Sequence, residues 1–227
     1  MAVPVRIQDA LVTSYGEVIF QTVSTNTYVG RRGNGLSSPI SETVKVGVAP
    51  GLGINLGIAN DVGDAGHAGT TVTPSFQYVF NKSQNYVPGF SVEGTYSPPP
   101  GTGLSGGTWG FSAQATESLG PTEQFPRLHF NIEWNKIDDQ SLRARPQTLG
   151  YGIGLSTLLT DSTALVGDVF YSQTAARRVS QTFVDLGLNR IIGPRLSVSA
   201  GGGVGFDRST PAFRVFLSLS TSFGLLN

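Results

Sequence analysis

The sequence predicts an all-β fold: a transmembrane, antiparallel, up-and-down β-barrel of about twelve strands. Three observations carry that expectation. Apolar and polar residues alternate with a period of two along most of the chain. In "RLHFNIEWN" (127–135), Leu128, Phe130, Ile132 and Trp134 share one face of an extended strand. The alternating segments run close to the ~9–11 residues that a tilted strand needs to cross a bilayer, longer than the ~5–6 usual in globular sheets. Finally, only 13% of the 227 residues are charged, about half the share in an ordinary soluble domain.

Bounded by Gly, Pro, Asn, Asp and Ser, the strands fall near residues 17–28, 42–49, 52–59, 71–80, 88–96, 108–117, 127–135, 148–159, 163–172, 180–190, 195–206 and 212–223. No segment has a convincing helical period, and composition does not break into a second domain. The chain therefore divides into residues 1–15, a periplasmic or plug segment, and a barrel over 16–227. Connections alternate between short turns such as "PG" and "TDS" and longer loops such as "NDVGDAGHAG" and "NKIDDQSLRARPQ". This rhythm suits a barrel whose ends meet different compartments. An even strand number puts both termini on the short-turn side.

The orientation of the faces decides the solvent. Val215, Leu217, Leu219, Thr221 and Phe223 alternate with Arg214, Phe216, Ser218, Ser220 and Ser222. Val184, Leu186 and Leu188 alternate with Asp185, Gly187 and Asn189, and Phe90, Val92 and Tyr96 with Ser91, Glu93 and Thr95. Residues 163–172 are ambiguous, because Val166 and Phe170 share the parity of Asp168. An inward apolar face would leave a Gly- and Ser-rich exterior short of the charges a watery surface carries. Facing outward, it meets lipid, and closure removes the unpaired strand edges that hydrocarbon does not tolerate. Aromatics at strand ends fit interfacial girdles: Tyr28, Tyr96, Trp109, Trp134 and Phe206 on the loop side, Phe20, Tyr78, Phe80, Phe90 and Phe223 on the turn side.

Composition also narrows the function classes. Fifteen basic residues balance fifteen acidic ones, so nucleic acid is not an expected partner. The absence of cysteine excludes disulfides, thiolate metal sites and a cysteine nucleophile. Two histidines, His67 and His129, without clustered carboxylates give no metal signature, and no cofactor is expected. "GLGINLG" and "GGGVG" are not phosphate loops, since no helix follows either. "MAVPVRIQDA" lacks the features of a signal peptide, which fits either a cytoplasmic protein or an exported chain whose signal peptide is removed or absent. The strand pattern favours export to a bacterial outer membrane.

In "YGIGLSTLLTDSTALVGDVFY" (151–171) and "GFDRSTPAFRVFLSLSTSF" (205–223), the chain resembles the Gram-negative outer-membrane barrels named after the meta-cleavage pathway of phenol degradation. Those chains show a similar "L-T-D…L-V-G" hairpin and a closing "FRVFLGLSYSF"-like strand. The resemblance is clearest over about the last 80 residues. It implies outer-membrane placement and a transport role, and it supplies no catalytic residues. The chain departs from many such barrels in following Phe223 with "GLLN" rather than ending on an aromatic.

The candidate lumen and selectivity residues are Lys45, Glu93, Arg127, His129, Glu133, Asp168, Asp185 and Arg214. Facing charges in a narrow pore focus a field on a passing solute, whereas charges that pair across the lumen only hold it together. "HFN" (129–131) is similar to part of a twelve-stranded outer-membrane phospholipase. That enzyme requires a serine two residues after the histidine, on the lipid-facing side, where this chain has Asn131 and a polar-face His129. No enzymatic activity is expected.

The inward rows Gly150–Gly152–Gly154 and Gly201–Gly203–Gly205 would either let the strands bend or leave room for a segment inside, such as residues 1–15. The expected function is a passive channel for small solutes, apolar or aromatic ones included, admitted between loops carrying Arg31, Arg32, Arg177 and Arg178. The alternatives are a closed structural or partner-binding barrel, which would add a protein partner to the lipid bilayer and the solute, and a soluble barrel with a greasy interior.

Overall fold

The computed structural model describes residues 13–29, 35–60, 70–83, 86–99, 106–121, 126–138, 145–176, 179–206 and 211–224. Among them are thirteen strands and no helix. In chain order the strands are β1 (Glu17–Val29), β2 (Gly35–Ser37), β3 (Ile40–Ala49), β4 (Leu52–Asn60), β5 (Thr70–Asn81) and β6 (Gly89–Ser97). They continue as β7 (Thr108–Ser118), β8 (Arg127–Ile137), β9 (Gln147–Thr160), β10 (Thr163–Gln173), β11 (Ser180–Gly193), β12 (Leu196–Gly205) and β13 (Phe213–Gly224).

From β3 onward consecutive strands pair antiparallel, and β13 returns to β1 to close the ring. The closing seam is long and regular, from Glu17 opposite Gly224 to Tyr28 opposite Phe213. Both β2 and β3 pair with β1, the former at Thr27–Val29 and the latter at Val18–Ser24. They are one ring position interrupted at Ser38–Pro39, where proline has no N–H to give the ladder; its carbonyl still accepts from Thr25 N–H at 3.1 Å. The ring therefore has twelve strand positions, as the sequence predicts. The short segment β2 is the one element absent from the sequence-based strand assignment.

The ladder shifts register at Gly47/Ala49, Val79/Asn81, Thr163/Ala164 and Ile191/Gly193. All four irregularities sit at the turn-side rim, a usual place for bulges in barrels. In the two-residue turn Pro50–Gly51, Gly51 takes φ +77° and its carbonyl accepts from Val79 N–H at 2.7 Å. A side chain at Gly51 would also meet Val79 O at 2.8 Å. Thr13 and Gly224, the first and last described residues, both lie on the short-turn side. His67 and the loop residues Arg31, Arg32, Arg177 and Arg178 lie outside the described residues.

The greasy face points outward. Phe130, Ile132, Trp134, Leu155, Leu186, Val215, Leu217 and Leu219 are all exposed, Ile132 at 50% and Leu217 at 56%. Their polar neighbours His129, Asn131, Asp185 and Ser218 are buried inside the ring. A monomer in water rarely shows an apolar patch beyond a few hundred Å², and this one encircles the molecule. Only hydrocarbon suits it, so the chain is a transmembrane β-barrel of the outer-membrane type.

Aromatic pairs mark both rims. Tyr28 stacks on Phe213 at 5.2 Å and Tyr96 tilts against Trp109 at 4.5 Å on the loop side. Phe20 meets Phe223 at 6.0 Å and Tyr78 meets Phe80 at 5.0 Å on the turn side.

Candidate functional site

All eight sequence-predicted lumen residues project into the barrel, because each holds the inward parity of its strand. The structure distributes them over two unlike halves.

Strands β9 to β13 form a filled half. Here the inward face is not only Gly, Ser, Asn and isolated charges, as the alternation suggests: Phe170, Phe183 and Phe216 also point in and are almost wholly buried. This settles the ambiguous strand. Val166, Asp168 and Phe170 face the lumen together, while Val169 is exposed on the outside. The glycine rows make room for these rings. Phe170 lies over Gly150 and Gly152, where an added methyl would approach ring carbons to 3.1 and 2.6 Å. Phe216 lies likewise over Gly187 and Gly201. In this half the glycine volume is taken by inward aromatics.

One line of cross-strand partners runs along the ladder from Thr116 through His129, Gly154, Asp168, Asp185 and Gly203 to Arg214. Arg214 and Asp185 are two strands apart, with Gly203 between. The Asp185 carboxylate occupies the space a Gly203 side chain would fill, so the guanidinium of Arg214 reaches across β12. Arg214 donates Nε–H to Oδ1 at 2.7 Å and Nη2–H to Oδ2, a two-pronged ion pair. The guanidinium also sits 4.3 Å from the Phe183 ring centre. The pair is structural cement on this wall. On the same side Asn189 donates to Ser199 Oγ at 2.7 Å.

At the junction between the halves, His129 is held through both ring nitrogens. Nδ1 is 3.1 Å from Thr116 Oγ1 and Nε2 is 2.7 Å from Ser156 Oγ. A serine on Nε2 superficially suggests a nucleophile and base. A hydroxyl, however, occupies the Nδ1 position where a Ser–His–acid triad has the carboxylate that stabilises the imidazolium.

Strands β1 and β3 to β6 form the open half. They line an open cavity of about 330 Å³ whose residues include Gln21, Glu42, Thr43, Lys45, Asn55, Thr73, Ser75, Gln77, Glu93 and Thr95. Glu93 Oε1 accepts from Ser75 Oγ at 2.7 Å and from Asn55 Nδ2 at 3.4 Å, and Asn55 Nδ2 also donates to Ser75 Oγ at 3.0 Å. Lys45 stands opposite Asn55 in the ladder and lines the same space. Lys45, Glu93 and Glu42 thus border a space with amide and hydroxyl groups around it. The uncharged members of this lining were not singled out from sequence, although Gln21, Thr43, Asn55, Thr73, Ser75, Gln77 and Thr95 share the inward parity of their strands. A larger depression, about 520 Å³, lies over Ala113 and Ala115 between Phe90, Phe130, Ile132 and Tyr151; it belongs to the lipid-facing wall. No group of residues able to hold a metal occurs among the described residues.

The family profile described as "Putative MetA-pathway of phenol degradation" matches residues 14–223. The chain belongs to this family. A sequence comparison with curated proteins finds no match. Among solved structures, the barrel is similar to an outer membrane channel from Pseudomonas putida F1. The two share 14% identity over 98% of this chain and 100% of the other, with a TM-score of 0.65. It is also similar to the NanC porin, at 8% identity over 91% and 98% of the two chains and a TM-score of 0.62. The KdgM porin in complex with disordered oligogalacturonate aligns at 9% identity over 91% and 99%, with a TM-score of 0.60. These likenesses establish the outer-membrane barrel fold for this member of the family.

Proposed function

We propose that the protein is a passive outer-membrane channel whose solute path runs through the open half of the lumen, beside β1 and β3 to β6. The carrying observation is the polar cavity of about 330 Å³ between Lys45 and Glu93. The other half is packed with phenylalanine on glycine and sealed by Asp185–Arg214. A path confined to one side is narrower than the ring itself and keeps both charges in view of whatever passes.

The cavity chemistry supports small solutes that combine an apolar ring with a hydrogen-bonding group. A cavity of about 150 Å³ holds benzene, so 330 Å³ accommodates a single-ring aromatic with space for water. A ring hydroxyl would find acceptors at Glu93 and partners of either kind at Asn55 and Gln77. The family's phenol-degradation description and the channel and porin identities of similar structures support this direction. The lumen residues then have a passage role and no reaction chemistry.

The test is conductance in planar bilayers. Folded protein should give discrete steps. Glu93→Gln should shift selectivity toward anions, Lys45→Met toward cations, and Arg127→Ala toward cations if the path passes it. A demonstrably folded barrel that stays silent at every voltage would refute the channel and favour the closed, partner-binding alternative.

A further inference from the structure

We infer that the outer wall at β1 and β3 is where a second copy of this chain docks within the membrane, as a two-fold dimer about the membrane normal. The ground is a polar stripe at the one side where the apolar band thins. On β1 the outward residues are Phe20, Thr22, Ser24, Asn26 and Tyr28. Phe20 and Tyr28 belong to the two aromatic rims, against Phe223 and Phe213. The three between them are polar. Their ladder partners on β13 are Leu219, Leu217 and Val215, each at least half exposed on the lipid-facing wall. The stripe therefore lies at hydrocarbon depth.

On the other flank, Glu42 of β3 stands opposite Thr22, and Ile58 and Val72 follow in the same row. Glu42 has the outward parity of its strand, opposite to that of Lys45, and is exposed. The other outward charges on the described strands, Glu117, Lys136 and Arg190, lie near strand ends at the rims. Hydrocarbon offers no hydrogen-bond partner to a carboxylate or a hydroxyl, and an ionisable side chain at that depth almost always faces protein or water. Among the described residues, the side chains of Thr22, Ser24 and Glu42 have no hydrogen-bond partner. Ser38 donates to Asn26 Oδ1 at 2.8 Å, which leaves the Nδ2–H groups of that amide as donors.

The chemistry of the stripe selects its occupant. In a two-fold about the membrane normal, the same patch meets itself and each residue meets the partner at its own depth. Near the loop side Asn26 meets the partner's Asn26, and an amide carries both donors and an acceptor. Deeper, the acceptor-only Glu42 carboxylate meets the partner's Thr22 and Ser24 hydroxyls, which donate. The stripe is its own complement. Small Ser and Thr side chains also let two walls approach closely, as small residues do between membrane helices. A lipid phosphate would instead be repelled by Glu42. The contact is independent of whether the barrel conducts.

The chain has no cysteine, so single substitutions report the contact. In phosphatidylcholine vesicles at high lipid dilution, Ser24→Cys under mild oxidant should give a dimer band that reductant removes. Its yield should be several-fold above that of Ile132→Cys, an outward position on the far wall. Replacing the stripe with Thr22→Val, Ser24→Val, Asn26→Leu and Glu42→Leu should leave the fast gel mobility of the folded barrel before boiling. Energy transfer between differently labelled copies should then fall several-fold. Ser24→Trp, which only adds bulk on the outer wall, should do the same should the fourfold variant not fold. Equal cross-linking at Ser24→Cys and Ile132→Cys overturns the dimer, as does undiminished energy transfer in a folded apolar variant. Cross-linking of Ser24→Cys to a different protein in native membranes, with the purified barrel monomeric, also overturns the second copy as occupant.

Discussion

Breaking the Asp185–Arg214 pair should cost far more stability than an ordinary surface ion pair. Asp185 has no exposed side-chain surface and Arg214 only 9%, and the contact is two-pronged. Removing one partner leaves the other charge buried and uncompensated, which typically costs about 3–5 kcal/mol. Exposed pairs contribute about 0–1 kcal/mol. Arg214→Met keeps an aliphatic stem and deletes the positive charge with its place over Phe183, while Asp185→Asn deletes the negative charge across β12. Each should lower stability by about 3–5 kcal/mol, whereas the double variant, with no buried charge left, should recover a large part of the loss. Gly203→Ala should fall in the same range, because its methyl displaces the Asp185 carboxylate without altering either charged residue. The assay is urea unfolding in lipid vesicles, scoring the folded fraction by its faster gel mobility before boiling. Single variants within about 0.5 kcal/mol of the parent, the range of neutral surface changes, would refute the reasoning. So would strictly additive effects in the double variant.

Phe216→Ala should destabilise the barrel by about 3–5 kcal/mol, the usual loss for a buried phenylalanine, and open the filled half so that conductance rises in the same bilayer measurement. Gly201→Ala should reproduce the instability, since its methyl takes the ring's place. His129→Ala removes two ring hydrogen bonds and should cost about 1–3 kcal/mol by urea titration, with His129→Gln recovering part of it.

The strand ladder was legible because period-two alternation and turn residues act locally. Strand ends read from the sequence differ by only a few residues from those of β1 and β3 to β13, and the inward parity of Lys45, Glu93 and Arg214 follows from the same pattern. What parity could not show is which inward residues meet. Phe170 looked ambiguous beside Asp168 because its partner is an absence, the missing side chains of Gly150 and Gly152 on the next strand. Phe216 depends in the same way on Gly187 and Gly201, and Arg214 on Gly203. Those relations exist only once register is set. The open cavity was hidden for a similar reason: Asn55, Ser75 and Gln77 are ordinary residues singly and become a lining when β4 and β5 stand beside Glu93. The segment β2 escaped because a three-residue ladder behind Pro39 carries too few alternations to show.

The orientation of the apolar face underlies all of this, and the native protein can report it without substitution. Its two tryptophans, Trp109 and Trp134, are both exposed on the outer wall near the loop-side rim. In vesicles of lipids brominated along the acyl chain, their fluorescence should be strongly quenched, most by bromines near the glycerol end, while aqueous iodide has little effect. Tryptophans indifferent to every brominated lipid and readily quenched by iodide would contradict a lipid-facing exterior.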